Sequence, residues 1–122
     1  SDDTPEGVVH NYVLATLNKD YEKAYGYLAD LEYKPTYETF RRAFLNGEVN
    51  PENQAVDIGE SDIVGDVATV DLELIYNSSD PFSTGYRNMM TADLIRQDGA
   101  WKLTLMPQYN FWGYDWFVEP PK

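Results

Sequence analysis

Cysteine is absent from the 122 residues, so neither a disulfide framework nor thiol chemistry can be built. Histidine occurs once, at His10, which excludes multi-histidine zinc centres. Positive charge is scarce: nine Lys and Arg stand against 21 Asp and Glu, a formal net charge of −12. From Ala43 to Tyr86 there is no Lys or Arg, while Glu48, Glu52, Asp57, Glu60, Asp62, Asp66, Asp71, Glu73 and Asp80 all fall in that span. Phosphate backbones and anionic bilayers are bound by clustered cations, so no nucleic-acid partner is expected and an anionic membrane surface would repel this face. No apolar run approaches the ~20 residues needed to cross a bilayer, so no transmembrane segment is expected either. The chain begins SDDTPEG, without Met or a signal-like segment. That start suits a mature, extracytoplasmic bacterial domain, secreted or membrane-tethered.

What the chain does have is ring surface. Aromatic residues make up 15% of it and hydrophobic residues 43%, enough to fill a core without metal or disulfide staples. At this length a single domain over residues 1–122 is expected, burying about two thirds of the unfolded surface. Six of the nine residues in YNFWGYDWF, 109–117, are aromatic, and they set residues 108–122 apart as a C-terminal extension.

The apolar periodicity changes midway. Residues 5–18 read as a helix capped by Thr4, with Pro5 in its first turn and Val9, Tyr12, Val13, Thr16 and Leu17 on one stripe. A second helix begins after the N-cap Asp20 and runs through YEKAYGYLAD, where Gly26 suggests close packing against a neighbour. A third covers 35–47, burying Tyr37, Phe40 and Phe44 and stopping at Asn46-Gly47. The period then falls to two. Strands are expected at 55–60 and 67–77 around a turn at SDIVGD, and at 86–97 and 100–106 around Asp98-Gly99, the strongest hairpin signal present. NSSDPFSTG, 77–85, reads as a loop. Val70, Leu72, Leu74 and Tyr76 should face one way, and Thr69, Asp71 and Glu73 the other. Trp101, Leu103 and Leu105 should point inward. The fold class is therefore α+β: three N-terminal helices packed on a curved antiparallel sheet of four or more strands.

The stretch NKDYEKAYGYLAD, with its D-Y-x-x-A-Y pattern, resembles the second helix of the nuclear-transport-factor-two-like (cystatin-like) superfamily. ADLIRQDGAWKLTLM is similar to that group's closing hairpin. The resemblance covers residues 4–108 and implies a cone-shaped domain with a pocket at its wide end, of the uncharacterised secreted or lipoprotein kind. The superfamily includes ketosteroid isomerases, polyketide cyclases and non-catalytic adaptors, so a shared fold does not decide function. YNFWGYDWF extends beyond the usual last strand.

The chemistry-bearing residues are sparse. His10 lies off the apolar stripe, and Asp71 and Glu73 alternate onto the solvent side. Asp93 falls in a stretch whose alternation a bulge could reverse. Asp57, Glu60, Asp62 and Asp66 lack the spacing of a calcium loop. No catalytic residue, metal or cofactor is assigned. Tyrosine rings with polar tips suit a semi-polar pocket wall, and the expected ligand-binding set is Tyr12, Tyr25, Tyr76, Trp101, Tyr109 and Trp112, for a small neutral or weakly polar ligand. The aromatic extension is expected to cap that pocket, with Tyr109, Phe111 and Trp112 inward and Trp116 and Phe117 over the helices. The leading expectation is a non-catalytic small-ligand-binding or protein-interaction domain. Its rivals are an isomerase- or cyclase-like enzyme, using a pocket carboxylate or His10 with a Tyr hydroxyl, and a dimerisation domain using the outer sheet face of Thr69, Thr91 and Thr104.

Overall fold

A computed structural model describes residues 2–52, 54–76 and 86–121. The expected loop at 77–85 lies outside the described residues, as does Asn77 at the end of its strand.

Helix α1, Pro5–Leu17, starts where the Thr4 hydroxyl accepts from the Gly7 amide at 3.0 Å. It stops at Asn18, after which Lys19 adopts a left-handed conformation (φ 60°) and Asp20 N–H donates to the Ala15 carbonyl. Those bonds satisfy carbonyls that a helix end would otherwise leave open. Val8, Val9, Tyr12 and Val13 are buried on its inner side. Helix α3, Tyr37–Leu45, is capped by Thr36 and closed by Asn46 and Gly47 (φ 83°).

Helix α2, Tyr21–Tyr25, is shorter than the expected run to Asp30. The reason is long-range. Leu103 N–H donates to the Tyr27 carbonyl and Ala29 N–H to the Leu103 carbonyl, both at 2.8 Å, so residues 27–29 lie parallel to the last strand and cover its edge. A bare edge would leave a row of unpaired backbone groups, and that demand outweighs local helix propensity. Gly26 is not a packing glycine: a Cβ there would meet only the carbonyls of its own helix.

Four antiparallel strands form one sheet in chain order: β1 Gln54–Val64, β2 Val67–Tyr76, β3 Tyr86–Gln97 and β4 Ala100–Leu105. Strand β1 is longer than the expected 55–60, because residues 61–64 continue it and only Gly65-Asp66 remain for the turn. A register shift between Ile58 and Ser61 breaks the alternation there and hides the continuation. Asp98 (φ 52°) and Gly99 (φ 80°) make the tight β3–β4 turn that their pairing predicts. A second shift, at Asp93/Leu94, turns Leu105 outward, opposite Asp93, contrary to the expected inward position, and Met106 takes the buried place.

Val70, Leu72 and Leu74 of β2, Ala92 and Leu94 of β3, and Trp101 and Leu103 of β4 are buried on the helix side of the sheet. The α+β arrangement of helices on an antiparallel sheet is as the sequence predicts. None of the described helices is long and apolar enough to cross a membrane.

Candidate functional site

Beyond β4 the chain becomes a strap. Phe111 N–H donates to the Pro107 carbonyl and Tyr109 N–H to the Trp112 carbonyl, so the segment turns back on itself. Four hydrogen bonds then tie it to separate parts of the fold. The Tyr12 hydroxyl of α1 donates to the Phe111 carbonyl at 2.6 Å. Asn50 N–H donates to the Tyr109 carbonyl at 2.7 Å, and Phe117 N–H to the Tyr33 carbonyl at 3.1 Å. Tyr76, at the end of β2, donates to the Asn110 side chain.

Rings fill the space beneath the strap. Trp112 stacks on Phe117 (5.7 Å between centroids, planes 13° apart) and meets Trp116 edge-on at 5.1 Å. Trp116 lies 4.9 Å from Phe40 of α3. Phe111, Trp112 and Trp116 are all buried, as expected for a clamp. Tyr109 is the exception: it is 62% exposed, because it sits at the turn (φ 72°) and serves the clamp through its backbone. The Trp112 indole N–H is buried with no hydrogen-bond partner among the described residues.

The six residues expected to bind ligand do not share one wall. Tyr12, Trp112 and Tyr76 meet the strap or belong to it. Tyr25 packs edge-on against Tyr37 and Phe40, donates to the Pro35 carbonyl at 2.7 Å, and carries Lys34 over its ring. Trp101 is buried at the β3–β4 hairpin with the Arg96 guanidinium 4.4 Å above it. Burial raises the Tyr12 phenol well above the ordinary tyrosine range, and burial followed by the Asp30 charge raises Tyr25. Both rings are therefore neutral donors whose protons are already committed to backbone carbonyls.

The candidate acid–base residues lie elsewhere. His10 is exposed on α1. Asp71 and Glu73 face away from the helices, with Arg87 paired to Glu73. Asp93 is half-buried on that same outer side, since its neighbours Ala92 and Leu94 take the core positions. A carboxylate does meet a tyrosine at the N-terminus, where Asp2 accepts from Asn11 at 2.7 Å and Tyr27 at 3.0 Å. The Asn11 bond is the main cause of the lowered Asp2 pKa. No group of three metal-ligating side chains occurs among the described residues.

Beside the strap lies a surface groove of about 420 Å³, where the C-terminal ends of α1 and α3 meet the loop that leads into β1. Tyr21 stacks on Phe44 at 4.9 Å, and both line the groove with Thr16 and Val49. Leu17 and Leu45, the last residues of the two helices, are 44% and 57% exposed. Lys19, Asn46, Asn50 and Glu52 supply the polar edge. The two asparagine carbonyls are already used, Asn46 accepting from Glu48 N–H and Asn50 from Glu52 N–H. None of the six expected residues lines this groove. Tyr21 falls in the second expected helix and Phe44 in the third, and only the tertiary fold, which sets the start of α2 against the end of α3, makes them neighbours.

The sequence matches no protein-family model and no curated protein. The fold is similar to that of a solved structure, an uncharacterised cystatin-fold protein from Novosphingobium aromaticivorans, with a TM-score of 0.51. The two chains are 10% identical over 80% of this chain and 92% of the other. At that identity the likeness is one of fold: an α+β, cystatin-like domain.

Proposed function

We propose that this cystatin-like domain is a non-catalytic binding module that receives a small ligand in the Tyr21–Phe44 groove. In this reading the aromatic strap seals the interior and holds the groove's floor in place. The observation that carries it is the groove's composition. A stacked aromatic pair and two exposed leucines sit beside polar groups, the combination that marks small-molecule sites, and the volume falls in their usual range of roughly 300–1,000 Å³. Catalysis finds less support. The hydroxyls of Tyr12, Tyr25 and Tyr76 each donate to an acceptor within the chain, which leaves none of the three as a free oxyanion donor.

A protein-interaction role has one observation in its favour. At the tip of the β1–β2 hairpin Ile63, Val64 and Val67 are 47%, 74% and 53% exposed, an apolar knob on a strongly acidic molecule. Amide chemical-shift mapping by NMR, with a set of small aromatic and aliphatic fragments, separates the two. The groove reading expects shifts concentrated on residues 16–21 and 44–52. Shifts confined to 61–68, or scattered over the surface, would refute it.

A further inference from the structure

The two edges of the sheet are finished differently. Residues 27–29 cover the β4 edge, through the Tyr27 and Ala29 bonds to Leu103. The β1 edge has no such cover: among the described residues, the backbone of Gln54–Val64 has β2 as its one hydrogen-bonding neighbour. Eleven residues long, β1 carries no Lys or Pro to blunt that edge, and only the register shift between Ile58 and Ser61 interrupts it. Beyond the shift the strand alternates cleanly. Ser61 and Ile63 pair with Val70 and Ala68, which are buried on the helix side. Asp62 and Val64 pair with Thr69 and Val67 on the outer face, and Asp62, Ile63 and Val64 are all exposed.

From this unpaired edge and its charge we infer that β1 accepts, as a fifth strand, an extended segment of a partner protein in which basic and apolar residues alternate. The surface is separate from the groove and does not rest on it. An added strand lies about 4.8 Å from its neighbour, with side chains alternating in step with those of β1. Its basic residues then stand on the outer face beside Asp62, their aliphatic stems along Val64, and its apolar residues stand beside Ile63. The charged residues of β1 are all acids, Asp57, Glu60 and Asp62, and none has an ion-pair partner among the described residues. The cations of β3 and β4 are engaged elsewhere: Arg87 with Glu73, Arg96 over Trp101, and Lys102 with the Gly26 carbonyl. Edge-to-edge pairing of two copies would instead bring these like charges together, so the same acids that favour a basic segment disfavour a second copy.

The test is NMR titration of the full chain with the peptide acetyl-KVKVKVK-amide. Its controls are acetyl-EVEVEVE-amide and the basic peptide N-methylated at its five inner residues, which cannot donate backbone hydrogen bonds. The basic peptide should shift the amides of residues 61–64 and slow hydrogen exchange at the β1 amides that face away from β2. Neither control should bind comparably. Asp62→Lys should weaken the basic peptide about fivefold or more, while Glu22→Lys, the same change in net charge on α2, should leave it within about twofold. Both sites are exposed, so unchanged melting temperatures check that the variants fold. No binding at millimolar peptide, equal binding of either control, or equal loss in the two variants would overturn the inference. Shifts confined to residues 16–21 and 44–52, or spread over the outer face without slowed exchange along β1, would do so too. A doubled mass of the free chain, with the outward β1 amides already protected, would give the edge to a second copy and equally overturn it.

Discussion

Replacing Tyr12 by Phe tests the junction between strap and helix with one atom. The ring is fully buried and stays, while the hydroxyl that donates to the Phe111 carbonyl at 2.6 Å is removed. That carbonyl then loses its donor inside the protein, a change that costs about 1–3 kcal/mol. In a domain of this size it corresponds to a fall in Tm of roughly 3–12 °C. The same substitution has a pH signature. Burial holds the Tyr12 phenol protonated in the folded state well above its ordinary range. Above about pH 10 the unfolded chain releases this proton and the folded chain keeps it, so wild-type stability declines by up to about 1.4 kcal/mol per pH unit from this group alone. The variant lacks that decline, although Tyr25 and Tyr27, also raised by burial, act equally in both proteins. Urea unfolding at pH 8, 10 and 11 should therefore show the variant less stable at pH 8 and the gap closing as pH rises. A loss below about 0.5 kcal/mol at pH 8 is smaller than any buried hydrogen bond of this kind should give, and would refute the reasoning. So would a gap that stays constant to pH 11.

Four further outcomes are expected. Gly113→Ala would put a Cβ within 2.6 Å of the Trp116 indole, and should destabilise by about 1–3 kcal/mol in thermal melts, as overpacked sites do. Removing residues 108–122 strips Phe111, Trp112 and Trp116 from the core at about 1.5–3 kcal/mol each, a large share of the usual 5–15 kcal/mol stability. The truncated chain should therefore lose its cooperative melt, as read by near-ultraviolet circular dichroism. Asp2→Asn should destabilise only slightly at neutral pH, because the carboxylate is exposed. Since the folded-state pKa is lowered, that difference should vanish as acid titration passes below the ordinary Asp range, about 3.9. Finally, Asp57, Asp71 and Glu73 share the outer sheet face, so two copies stacked there would set like charges together. Light scattering at low salt should give the 14.0 kDa monomer mass, and a doubled mass with an interface mapped to Asp57, Asp71 and Glu73 would contradict this.

Local chemistry made part of this fold readable. Thr4, Pro5 and Asn18 bound α1, Asn46-Gly47 closes α3 (its start, expected at Pro35, is set instead by the Thr36 cap), and Asp98-Gly99 sets the β3–β4 register, each through bonds within a few residues. The clamp was legible in part: Phe111, Trp112 and Trp116 carry ring surface that stabilises most when buried, whereas Tyr109 and Tyr114 stay exposed. What escaped was set at a distance. Helix α2 ends early because the backbone of Tyr27 and Ala29 bonds Leu103, more than seventy residues on. The register shift near Gly59 concealed residues 61–64 of β1: Gly59 packs so closely on Asp71 that a Cβ would sit 3.3 Å from its carbonyl oxygen, which nothing in the alternation signals. Tyr109 was misplaced because its contribution is a backbone carbonyl, not its ring. The groove was invisible for a similar reason. Tyr21 and Phe44 belong to separate helices, and it takes the tertiary fold to set the start of α2 beside the end of α3.

The central claim is that the strap unfolds together with the core, and amide hydrogen exchange under native conditions tests it most directly. The Asn50, Phe111 and Phe117 amides, which hold the strap through Tyr109, Pro107 and Tyr33, should exchange as slowly as those of Leu72 and Leu94, at the rate set by global unfolding. Exchange of these three at the rate of an exposed loop, with the sheet amides still protected, would contradict the account.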